Sequence, residues 1–116
     1  MKVRRIRPGR RMSQAVIHGN TVYLSGLTAE PPSGSAREQT ARILEQIDQL
    51  LKEAGTDKTR LLLANVWLSD IRYFDEMNEA WEAWIAKDCA PVRATVEAKL
   101  AGQEYLVEIM VQAAIE

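Results

Sequence analysis

Apolar positions along the chain follow two rhythms, separated by glycine and proline marks. Residues 13–18 (SQAVIH) and 21–27 (TVYLSGL) alternate with the period of two that sends successive side chains to opposite faces of a strand. Gly19-Asn20 between them is a two-residue hairpin signal. Over 36–54 the period lengthens. Ile43, Leu44, Ile47, Leu50, Leu51 and Ala54 recur at three- and four-residue steps, and Gly55 stands where a C-cap belongs, so a helix is expected. Residues 60–68 (RLLLANVWL) are almost continuously apolar between Asp57 and Asp70, which predicts a strand buried on both faces. Residues 72–86 return to helical spacing, with Phe74, Met77, Trp81 and Trp84 on one stripe expected to be core. Residues 93–98 and 105–115 predict two final strands around Gly102. The sum is an α+β domain spanning 1–116, a mixed sheet with both helices on one face.

Alternation also sorts residues onto faces. In the last strand Tyr105, Val107, Ile109, Val111 and Ala113 are expected under the helices, with Leu106, Glu108, Met110, Gln112 and Ala114 opposite. In 93–98 the small apolar set, Ala94, Val96 and Ala98, is expected to share the helix-covered face, leaving Arg93, Thr95 and Glu97 opposite. Strand 21–27 offers Val22 and Leu24 to the core and Thr21, Tyr23 and Ser25 to the other side. Arg93 and Glu108 then lie together on a face too apolar to be freely solvated and too charged to be core. Such a face predicts association through it. Two readings of the pair stand: an interfacial or surface salt bridge, or the charged lining of a pocket.

Composition narrows the chemistry. Apolar residues make up 47% and charged residues 27% of the 116, a soluble globular balance. No apolar run approaches the roughly 18 residues of a membrane helix. The single Cys89 excludes a disulfide framework or cysteine zinc site, and the single His18 excludes a multi-histidine metal site. Cys89, before Pro91, is expected to be an incidental thiol, and His18 an exposed residue flanking the hairpin turn. The net charge of −1 is unevenly split. Residues 1–11 hold Lys2, Arg4, Arg5, Arg7, Arg10 and Arg11 with no acid, while the remainder holds 9 bases against 16 acids. This start has no apolar h-region and does not read as a targeting segment. It suits either RNA contact or a basic edge strand that resists further pairing. The acidic remainder and the lack of a basic–aromatic motif weigh against RNA.

Several stretches together resemble one family. APVRATVEAKL (90–100) is similar to the signature of the RidA/YjgF reactive intermediate deaminases, also known as L-PSP endoribonucleases. SQAVIHGNTVYLSG (13–26) resembles that family's first hairpin and EQTARILEQIDQLLKEAG (38–55) its first helix. WLSDIRYFDEMNEAWEAW (67–84) and YLVEIMVQAAI (105–115) resemble its later segments. The Trp81-Glu82-Ala83-Trp84 helix and the short loop at 30–36 are closest to the YoaB-like branch. The resemblance implies a chorismate-mutase-like fold assembled as a homotrimeric barrel, with sites in the clefts between subunits. It implies a cytoplasmic hydrolase, without cofactor or metal, that converts enamines and 2-imino acids such as 2-aminoacrylate to 2-keto acids and ammonia. No membrane partner is expected, and the charge pattern above disfavours nucleic acid.

By the same resemblance Arg93 occupies the position of the arginine that grips the substrate carboxylate, and Glu108 that of the acid associated with the attacking water. Ser25 falls at a pocket serine. Met12 stands where deaminases often place Tyr, and Thr95 where they often place Cys, so the pocket wall is altered around an intact anchor. The residue types suit the reaction. A guanidinium fork holds both carboxylate oxygens and fixes the neighbouring C=N carbon, which Lys would not orient. A carboxylate can take a proton from water and return it to nitrogen. Two other functions remain open: a non-catalytic trimeric module binding small carboxylates, and RNA cleavage or translation inhibition.

Overall fold

The computed structural model describes all of residues 1–116. Strands β1 (Val3–Pro8), β2 (Ser13–His18), β3 (Thr21–Leu24) and β4 (Leu27–Thr28) precede helix α1 (Ala36–Ala54). Strand β5 (Leu61–Leu68), helix α2 (Phe74–Trp84) and strands β6 (Val92–Glu97) and β7 (Val107–Ala114) complete the chain. The sheet runs β1-β2-β3-β7-β5-β6, with β4 also pairing β7. Every pairing is antiparallel except β5 with β6, so the sheet is mixed, as expected.

Local chemistry sets the element ends. Ser35 caps α1 in a reciprocal box: its hydroxyl accepts from the Glu38 N–H, and the Glu38 carboxylate accepts from the Ser35 N–H. Gly55 closes the helix at φ 87°, the left-handed cap. Gly19 takes φ 63° in the β2–β3 turn, and Asn20 does not turn positive, as a loop with glycine first requires. Asp70 accepts from the Arg72 N–H to start a short 3-10 turn over Ile71–Tyr73, which shortens the second helix from the expected 72–86 to Phe74–Trp84.

The core lies between the sheet and α1. Ile43, Leu44, Ile47 and Leu51 of α1 meet Val22, Leu24, Val66, Leu68, Val107, Ile109 and Val111, all buried. The expected inward set of β7 is confirmed from Val107 to Ala113, although Tyr105 precedes the strand. Buried Gln39 fastens the segment before β7 to α1. Its amide donates to the Glu104 carbonyl and its oxygen accepts from the Leu106 N–H, both at 3.0 Å.

Three expectations are corrected. Strand β5 is not buried on both faces: Ala64, Val66 and Leu68 are buried, whereas Leu63, Asn65 and Trp67 alternate with them on the uncovered side. Helices cover one face only, so the second apolar set has nothing above it within the protomer. The segment 21–27 breaks at Ser25-Gly26 into β3 and β4, which both pair with β7. Most consequential, β6 has the opposite orientation to the expected one. Its register pairs Arg93 with Ala64, Thr95 with Val66 and Glu97 with Leu68, all helix-side positions of β5. Arg93, Thr95 and Glu97 therefore face the helices, and Val92, Ala94 and Val96 the open side. Glu97 confirms this by accepting from the Ile71 N–H, just ahead of α2.

Candidate functional site

Five candidate residues separate into two groups. The first stands on β6. The Arg93 guanidinium lies over the Trp81 ring, 5.2 Å from its centroid, and 6.0 Å from that of Phe74. Its Nη1 lies 3.7 Å from the Met77 sulfur, a weak acceptor, and no carboxylate or carbonyl of the chain takes its remaining donors. Desolvation lowers the Arg93 pKa, with the Glu82 carboxylate pulling the other way, and an arginine so placed remains a cation. Two residues along, the Thr95 hydroxyl is buried without a hydrogen-bond partner. A half-buried guanidinium with free N–H donors has the chemistry to hold a planar anion.

The second group lies at the far end of β7, on the open face. Glu108 is half-buried, paired across the sheet with Trp67 on β5 and Thr28 on β4. Its carboxylate crosses directly over Gly26. A Cβ there would fall 2.3 Å from Glu108 Oε2, so glycine at this break keeps room for the acid. Ser25, adjacent, donates its backbone N–H to the Gln14 carbonyl at 2.9 Å, and its buried hydroxyl has no partner. Met12, two residues before Gln14, is 53% exposed in the β1–β2 connection.

The structure thus does not place Arg93 and Glu108 together in one protomer. They sit on opposite faces. Through the register Arg93–Ala64–Val111 and Glu108–Trp67, they are two strands and three residues apart, roughly 14 Å along the sheet. The reason is the reversed β6: alternation identifies residues that share a face but not which face it is.

Other features add context. The stripe Phe74, Met77, Trp81, expected to be core alone, is also the bed of Arg93, and Phe74 is 40% exposed. Sequence reasoning missed this bed and Gly26; the 74, 77, 81 spacing of soft side chains was the available signal for the first. His18 is exposed beside the hairpin turn, as expected. Cys89 is half-buried and free, in the loop before β6. No group of three or more His, Cys, Asp or Glu is arranged to hold a metal ion. No helix is long and apolar enough to cross a membrane. Arg7 of the basic edge strand β1 pairs with Glu53 of α1 at 2.5 Å, so one of the six N-terminal bases serves the fold directly.

The open face itself is unusual for a surface. Tyr23, Leu63, Trp67, Met110 and the β6 residues Val92 and Val96 lie on it. Val92 is 68% and Val96 49% exposed.

Comparison with known proteins gives one consistent result. The family model described as "Endoribonuclease L-PSP" matches residues 3–115. The RutC family protein YoaB of Escherichia coli (strain K12) is 44% identical over 115 residues, covering 99% of this chain and 100% of the relative. A RutC family protein of Haemophilus ducreyi is 39% identical over 113 residues, 97% of each chain. The crystal structure of a YjgF family member from Neisseria meningitidis superposes with a TM-score of 0.96 at 42% identity, covering 100% of this chain and 97% of that one.

Proposed function

The chain belongs to the endoribonuclease L-PSP family, to which the RutC and YjgF names also attach, and from that premise we propose that it is a trimeric hydrolase of 2-imino acids and their enamine tautomers. One observation carries the proposal. Arg93 is held half-buried over Trp81, with only a weak contact from Nη1 to the Met77 sulfur, so most of its N–H donors are available to a carboxylate. The apolar open face supplies the reason to assemble, because a surface of this character is covered in stable proteins. In a closed ring, the β6 edge of one protomer meets the open face of the next, and Arg93 of one subunit approaches Glu108 of another.

In that cleft the Arg93 fork takes the substrate carboxylate in two parallel hydrogen bonds and fixes the C=N carbon beside it. Glu108 accepts a proton as water adds to that carbon, giving a tetrahedral carbinolamine. The first proton ends on the nitrogen; Glu108 then carries the carbinolamine hydroxyl proton to that nitrogen as the C–N bond breaks and the C=O forms, releasing ammonia and a 2-keto acid. Atoms balance with one water consumed and no redox partner. Thr95, Ser25 and Met12 form the wall, where two unpaired hydroxyls can orient substrate or water. Acid–base assistance of this kind is worth about 10²–10⁴-fold.

The test is to generate 2-aminoacrylate and related imines in situ and follow keto-acid formation against a competing nucleophile. Wild type should accelerate release and Arg93→Ala should not. Equal behaviour of the two on every imine tried removes the deaminase reading, and carboxylate binding without turnover would make the protein a binding module instead.

A further inference from the structure

We infer that Trp81 and Phe74, with Met77 between them, form a positioning bed that aims the Arg93 fork at a carboxylate. This rests on the reading of Arg93 as the carboxylate grip. Residues 74, 77 and 81 lie on one face of α2, and all three side chains meet the guanidinium. The other arginines with defined contacts are bound differently. Arg7 pairs with Glu53, Arg72 with Asp70, and Arg42 donates to the carbonyls of Pro31 and Ser33. Those contacts occupy N–H donors. Aromatic rings instead hold a guanidinium through its charge and leave the N–H groups available. The bed therefore fixes the position of Arg93 with a single weak contact to its N–H groups, from Nη1 to the Met77 sulfur, whereas a carboxylate partner would occupy the fork.

The bed is itself anchored. The Trp84 ring packs against Trp81 at a centroid distance of 5.6 Å. Trp84 is tied to α1 by its indole N–H, which donates to Asp48 at 3.0 Å. Lys58 lies over the Trp84 ring and donates to its backbone carbonyl. A continuous path of contacts thus runs from α1 through Trp84 and Trp81 to Arg93. Trp81 and Phe74 are positioning residues: they touch Arg93, not the reacting atoms.

The experiment compares Trp81→Leu, Trp81→Phe, Phe74→Leu and Arg93→Ala in the full chain. It reads KM and kcat for imine hydrolysis, and calorimetric affinity for pyruvate as a carboxylate probe. Trp81→Leu should raise KM and the pyruvate Kd about 2- to 30-fold with kcat changed far less, and Trp81→Phe should recover most of the loss. Phe74→Leu, at a partly exposed position where folding is secure, should raise both constants by about twofold or more. If folded Trp81→Leu and Phe74→Leu keep wild-type KM and Kd, or lose kcat at unchanged KM, the bed inference is overturned. Should Trp81→Leu not fold, Phe74→Leu decides by the same criterion. If Arg93→Ala hydrolyses imines like wild type, the deaminase reading falls instead, and the pyruvate arm still judges the bed.

Discussion

Because Arg93 and Glu108 of one protomer face opposite sides of the sheet, roughly 14 Å apart along it, a site using both must draw them from two protomers. Subunit complementation tests this directly. Arg93→Ala and Glu108→Gln chains, differently tagged, should each be defective alone under the proposed trimeric arrangement, with losses on the order of 10²-fold or more. Mixed in equal amounts and reassembled, they form random trimers. At each interface the arginine donor is intact in half the cases, and the glutamate donor independently in half. About one site in four is then complete, and turnover returns to roughly 25% of wild type under a cyclic heterologous arrangement. If both residues served one site from the same chain, every site would lack one of them and no activity would return. The assay is keto-acid formation from 2-aminoacrylate, with native mass measurement confirming that mixed trimers are present. Mixed trimers at the background of the parents would refute the intersubunit geometry, and an assembly other than a trimer would refute the ring.

Gln39→Leu removes the hydrogen bonds to Glu104 and Leu106 and should cost about 1–3 kcal/mol, a fall in Tm of about 4–12 °C in thermal melts; a shift under about 2 °C would show that these bonds do not stabilise the fold. Gly26→Ala should push the flexible Glu108 carboxylate aside rather than unfold the chain, lowering kcat by about tenfold or more with a near-wild-type melt; unchanged kcat would place Glu108 outside the chemistry. The Ser35 N–H lowers the Glu38 pKa, and hydrogen bonds from Thr59 and Arg72 lower those of Asp57 and Asp70. Depressed carboxylates stabilise above their ordinary values near 4 and lose that contribution as pH falls through the folded ones. Melts should therefore drop in Tm below about pH 4, less steeply in Glu38→Gln, and a Tm that is flat or rises on acidification would contradict the assignment.

Much of the fold is legible from periodicity because local physics dictates it. Helix α1 coincides with its expected range, 36–54, since a capping box and a left-handed glycine set its ends through contacts within a few residues. The face of β7 is equally legible, because it lies inside the sheet and the contrast between Val107, Ile109, Val111 and their neighbours is strong. Gly26 was hidden for the opposite reason. Its role depends on a glutamate more than eighty residues away crossing above it, and nothing beside it in the chain reports that approach.

Strand β6 shows why the site was harder to place than the fold. The apolar members of an alternating strand are ordinarily assigned to the core, and this holds when the opposite face meets water. Here the opposite face is itself apolar: Leu63, Trp67, Met110 and the outward Val92 and Val96 form a second hydrophobic surface. With two apolar destinations, polarity no longer decides direction, and the register against β5 does. That register turns the valines to the open face and sets Arg93 against α2, away from Glu108. The same choice accounts for both properties the proposed activity needs. It exposes an apolar strand for association, and it leaves a guanidinium fork that no carboxylate of its own subunit occupies. A β6 turned the other way would bring Arg93 to the face that carries Glu108 within one chain. The two charges would then be free to satisfy each other as an ordinary ion pair, and the bound anion would have to displace it.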